Sequence, residues 1–276
     1  VTEFKSPPEL SKECQQALYD LILVLADSKH LLGLRYGEWL YAPAIEASIA
    51  SLSMAQDELG HARLFYNLVE EFLNHGFPKR EEKPSEYRSI ELLDHPFPSW
   101  PDFVAVHALV DLALSVQLEA FEASSYLPLR RLVPKILQEE EFHFQHAKGW
   151  LFRIASASER AKAELERAVR KIWTPVLCWL GKPESTVEQA LVESQIQDTD
   201  SEGLRTRFIE KLGPILQQTN LHLPVSNDAI TGQWVLGTEL SWKGWNEATR
   251  RFSRTGPDLE IFAQIESFFT HEYPVT

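Results

Sequence analysis

The chain has 276 residues, 44% of them hydrophobic, and forty acidic residues against twenty-seven lysines and arginines give a formal charge of −13. That size and apolar content belong to a globular protein with a sizeable core rather than a disordered chain, and the charge repels a phosphate backbone, which argues against nucleic acid as a partner. No apolar run approaches the roughly 20 residues of a membrane span, and the opening VTEFKSPPEL lacks the basic-then-apolar order of a signal peptide, so the expected compartment is the cytoplasm.

Glycines are few and thinly spread through long stretches of Ala, Leu, Glu, Gln and Arg, which favours helix throughout. The first periodic segment covers about 10–35, with Leu18, Ile22, Leu25 and Leu32 at helical steps. The second begins at Pro43, a residue suited to a first helical turn, and runs to about 73, where Asn74-His75-Gly76-Phe77-Pro78 stops it. Residues 78–100 carry four prolines and many charges and read as a long surface connection. A third helix is expected over 101–124, with Ser99 as a candidate cap, and a fourth over 129–154, which Pro134 kinks or truly starts. A fifth follows at about 158–180, closed by Gly181-Lys182-Pro183. Residues 184–276 hold shorter helical pieces, and TGQWVLGTELSWKGW reads equally as short strands or irregular loop. Cys14 and Cys178 lack metal-ligand or redox spacing and read as reduced thiols.

Residues 56–62 read QDELGHA and 138–144 read QEEEFHF, so Glu-x-x-His occurs twice, as Glu58/His61 and Glu140/His143. Residues three apart share a helix face, and each pair therefore presents a carboxylate and an imidazole in one direction. In an antiparallel hairpin, residues equidistant from the turn lie at one height. Glu58 lies about 16 residues beyond the first turn, level with Asp27, and His30 stands one turn further along. Glu140 lies about 14 residues beyond the second turn, level with Asp111. An aspartate inside VAVHALVDLALSV is costly to bury unless it has a partner. Each hairpin thus offers an acid on its first helix and Glu-x-x-His on its second, the inner shell of a di-iron carboxylate centre in a ferritin-like bundle. The same residues also satisfy one another as a metal-free salt-bridged core, and both readings stay open. His107 can pair with Asp111, and His146 can back His143.

The stretches GLRYGEWLYAPAIE, MAQDELGHARLFY, HALVDLAL, ILQEEEFHFQHAKGWL and RKIWTPVLCWLG together resemble the ferritin-like A and C subunits of the multicomponent phenylacetyl-CoA epoxidase, across about residues 10–182. The resemblance implies an all-α fold, a four-helix core with additional C-terminal helices, and a place in phenylacetate breakdown beside other subunits. In that family the A subunit holds the di-iron centre and binds the aromatic CoA thioester, whereas the C subunit is a structural partner with a degraded site. The catalytic pattern falls here on Glu58, His61, Asp111, Glu140 and His143. Alignment through Trp39 places Lys29 at the family's first-helix glutamate, with Asp27 half a turn away. Met54 stands where the catalytic subunit has a lysine, and LADSKHLLGLRYGEW and HAKGWLFRI look like the C subunit. The expectation is therefore a C-type subunit that holds a catalytic one. The alternatives are an oxygenase carrying two irons on those residues with Asp27 or His30, and an iron-storage protein. Di-iron, or no cofactor at a vestigial site, a homodimer and an aromatic acyl-CoA complete the expected ligands and partners.

Overall fold

Two long helical hairpins form the frame that positions the polar residues. The computed structural model describes residues 2–81, 83–258 and 260–261. In the first hairpin, α1 (Lys12–Gly37) opens on Ser11, whose hydroxyl accepts from the Cys14 amide at 3.2 Å, and runs beside α2 (Ile45–Leu73). Pro43 lies in the turn before α2 rather than in its first turn. Gly33 lets the two helices close together: a Cβ there would lie 2.9 Å from Leu59 Cγ and 3.0 Å from the Ala55 carbonyl oxygen.

The second hairpin joins α3 (Trp100–Glu119) to α4 (Leu127–Ala157). Ser99 caps α3, accepting from the Asp102 amide at 3.3 Å, as its position before Trp100-Pro101 predicts. α3 ends about five residues earlier than its apolar pattern implies, because residues 120–126 turn back to pair with the N-terminal segment and the 194–198 stretch. α4 starts at Leu127, before Pro134, which lies inside the helix. Being long and apolar enough to cross a membrane, α3 departs from the expectation that no such run exists, but 94% of its apolar window is buried in protein. It is the central core helix, packed against α4, α5 and α7.

Ser158 caps α5 (Glu159–Trp179), which lies along α3 and α4. Next, α6 (Thr186–Glu193) packs on α1, and α7 (Ser201–Thr219) ends on Asn220 in the left-handed region, φ 52°. A hairpin of β1 (Val225–Asn227) and β2 (Trp234–Leu236) pairs Val225 with Leu236, so part of the ambiguous tail is strand. Trp234 seats its ring on Gly213, where a Cβ would lie 2.3 Å from the indole.

The 78–100 connection is anchored rather than loose. Ser89, Ile90 and Leu93 are buried, and Arg251 bonds both the Ser89 carbonyl and the Asp94 carboxylate. The described part of the C-terminal third therefore straps this connection to the bundle. The interior is one continuous apolar cluster contributed by α1 to α7.

Candidate metal centre

Four helices converge on a buried cluster of charge. α2 supplies Glu58 and His61, α3 Asp111 and His107, α4 Glu140 and His143, and α1 supplies Lys29. Each of these side chains is at most 3% exposed. One ligand atom from each of Glu58, Asp111, Glu140 and His143 lies within 4.8 Å of every other, so these four can together hold a metal ion. The two Glu-x-x-His pairs and the α3 aspartate are thus brought to one place.

The centre of that place is filled by Lys29. Its ammonium lies 2.6 Å from Glu140 Oε1, 3.0 Å from Glu58 Oε1 and 3.5 Å from Asp111 Oδ1. His143 Nδ1 sits 3.3 Å from Asp111 Oδ2 and 3.4 Å from Glu58 Oε1, and its Nε2 reaches Asp57 at 3.4 Å. His61 Nδ1 is 3.2 Å from Glu140 Oε1, while its Nε2 bonds Glu139 at 2.6 Å. Ser115 donates to Glu140 Oε2 at 3.1 Å, and Tyr36 donates to Asp111 Oδ2 at 3.2 Å.

Asp27 and His30 are not part of this cluster. Asp27 accepts from Tyr66 at 2.6 Å, from Arg80 at 3.0 Å and from the Arg88 amide at 2.8 Å, forming a separate buried knot where the 78–98 connection crosses α1 and α2. His30 lies between the rings of Tyr66 and Tyr87, and burial, helped by Arg80, pushes its pKa down to about 4. The reason is rotational: at about 100° per residue, Lys29 points some 200° away from Asp27 and shares its face with Gly33 and Tyr36. Equal height selected the right turn of α1 but the wrong side of it.

A second polar chain leaves the cluster. Tyr36 Oη and His107 Nδ1 lie 2.8 Å apart, His107 Nε2 and His146 Nδ1 3.1 Å, and Trp150 donates to His146 Nε2 at 3.2 Å. Burial lowers both histidines, His146 to about 4, so they are neutral links. Tyr36, Ser115, Asp57 and Glu139 are partners that spacing alone did not single out. Tyr36 stands two turns from Lys29 on one face, the one signal that could have found it.

Residues 3–238 match the family described as phenylacetic acid catabolic protein. The chain belongs to this family. It is 27% identical over 220 residues to the A subunit of the 1,2-phenylacetyl-CoA epoxidase of Escherichia coli (strain K12), covering 76% of this chain and 70% of that relative. It is also 25% identical over 157 residues to the C subunit of the same enzyme, covering 55% of this chain and 62% of that relative. Relatives of the chain are therefore subunits of a multicomponent epoxidase, and the family link supports a role in phenylacetate catabolism.

The electrostatics show how the cluster balances its own charge. Burial alone would push the Lys29 ammonium toward neutrality, but Glu140, Glu58 and Asp111 outweigh it and hold its pKa above the ordinary lysine value. Burial raises Glu58 to about 7 against the pull of Lys29. Burial likewise favours neutral His143, yet its contacts with Asp111 and Glu58 push it up to about 12. Burial is outweighed too at Asp111, which Lys29, His107 and His143 hold well below the usual carboxylate range. The carboxylates thus already have fixed cations. The donor atoms suit iron, and Glu58 Oε2 and Asp111 Oδ1 lack a hydrogen-bond partner among the described residues, but the Lys29 ammonium stands between the carboxylates and competes with a metal for them. A dication about 4 Å from the ammonium would be repelled by roughly 8 kcal/mol even at an effective dielectric of 20.

Proposed function

We propose that the chain is the structural, C-type subunit of a multicomponent phenylacetyl-CoA epoxidase, a metal-free partner that holds the catalytic A-type subunit. The observation that carries this reading is Lys29, whose ammonium stands among the three carboxylates where a catalytic relative needs metal and a fourth carboxylate. A lysine there balances the buried acids internally, so the polar core persists without iron. The ligand set on α2, α3 and α4 is retained as an inherited core that shapes the bundle.

The retained set also supports a second reading, that the chain is itself an oxygenase with iron on Glu58, His61, Asp111, Glu140 and His143. Metal analysis of protein purified from iron-rich medium separates the two. The expected result is substoichiometric iron, unchanged in Glu58→Ala and His143→Ala variants. Near two irons per chain, lost in both variants, would overturn the structural reading.

A further inference from the structure

The solvent face of α2 carries a second apolar stripe, separate from the one that builds the core. Inward positions Ala47, Ser51, Met54, Glu58, His61, Phe65, Leu68 and Phe72 are buried. On the opposite side, Ile45, Ile49, Leu52 and Leu59 are exposed, by 73%, 62%, 45% and 38%. With Gln56 they recur at steps of four and three, within roughly 40° of one line along the helix. A surface helix normally spends that face on polar residues, and scattered single exposures need no explanation, but a row at heptad spacing does.

The row continues at both ends. Leu40 and Tyr41, the latter 94% exposed, extend it into the α1–α2 turn, beside a cleft of about 570 Å³ lined by Trp39, Pro96 and Phe97. On α4, Phe142 is 75% exposed, at the level of Leu59 as the His143–Asp57 and His61–Glu139 contacts show. Steps of four and three are what a partner helix packs into, ridge against groove.

Charge decides whose helix it is. Apart from the acids that contact the cluster histidines, α2 carries Glu46, Glu70 and Glu71 against the single base Arg63, and Glu141 stands beside Phe142 on α4. Pairing this face with a second copy would oppose like rims on two molecules of formal charge −13. We infer that the α2 stripe is the docking face for an amphipathic helix of a non-identical subunit, one whose aliphatic ridge is flanked by lysine and arginine. The inference rests on the structural-subunit reading and names the surface through which that subunit acts.

The test mixes this chain with the A-type chain from the same organism and follows the complex by sedimentation velocity. Ile49→Lys and Leu52→Lys are compared with Ile230→Lys, a control at a still more exposed isoleucine off the stripe, and circular dichroism confirms that each variant is folded. The wild-type chain alone is expected to be monomeric and to bind the A-type chain with an affinity that falls as salt rises. Each stripe variant should bind at least about 100-fold more weakly, and the control should bind as wild type. Binding that the stripe variants leave intact, or that strengthens with salt, overturns the inference while the structural reading stands. Self-association of the wild type that both stripe variants abolish would overturn it in favour of a second copy. No binding to the A-type chain under any condition would defeat the structural reading itself.

Discussion

Replacing Lys29 tests the internal counter-ion directly. In Lys29→Met the side chain keeps most of its length but loses its charge, leaving Glu58, Asp111 and Glu140 with only the two histidines as cations among the described residues. Removing one partner from a buried ion pair typically costs about 3–5 kcal/mol, which for a chain of this size lowers Tm by roughly 6–20 °C. The loss should shrink toward pH 5 as the stranded carboxylates take up protons, Glu58 first since burial already places its pKa at about 7. Lys29→Glu removes the ammonium and also restores a helix-one carboxylate, so it should be the less stable variant without metal. With Mn(II) or Co(II) at about a thousand times Kd, bound metal would return roughly 4 kcal/mol. Urea denaturation followed by far-ultraviolet circular dichroism, with and without metal, reads both effects, and the visible spectrum of Co(II) reports the ligand field. A Lys29→Met protein within about 1 kcal/mol of wild type at pH 7.5 would refute the counter-ion argument. So would equal stabilisation of wild type and Lys29→Glu by the metal.

His143 should give the fold an alkaline sensitivity. Its folded pKa is raised from 6.5 to about 12, so its contribution is complete below 6.5 and is lost as pH rises through the folded value. Between pH 7.5 and 9 stability should fall by on the order of 1.4 kcal/mol per unit, a slope that His143→Gln should lack in denaturation curves taken across that range. Asp27→Ala strands the partly buried Arg80 charge and should cost up to about 3 kcal/mol, measured by the same denaturation, yet leave Co(II) uptake by Lys29→Glu unchanged, because Asp27 lies in the separate knot with Tyr66 and Arg88. Gly213→Ala would push Trp234 off α7 and cost about 1–3 kcal/mol. Its readout is faster amide exchange in the β1–β2 hairpin with α1 to α4 unaffected.

The fold was legible because its signals are redundant. Helical periodicity, the Ser99 cap and the stops at Asn74 and Gly181 are each local, and each agrees with the packing that follows. The misjudged edges have nonlocal causes. Residues 120–126 leave α3 to pair with the N-terminal segment and with 194–198. The 78–100 connection is drawn in by Arg251 from more than 150 residues away. No window of sequence contains those partners.

The site divides in the same way. Two Glu-x-x-His pairs and an aspartate in an apolar helix were readable because each needs only helix geometry and the cost of an unpaired buried charge. The first-helix residue was harder, since height along α1 is set by counting from the turn, whereas facing depends on the rotation of α1 about its own axis. That rotation is fixed by Gly33 closing on Leu59 and Ala55, and it turns Lys29 inward and Asp27 outward. Spacing within α1 does not show which way Lys29 points; the alignment through Trp39, which sets it at the family's first-helix glutamate, was the one sign of its facing. Its meaning appears only when three acids from three other helices meet it, and the charge that looked like a departure from the ligand pattern becomes the cation that keeps the pattern buried.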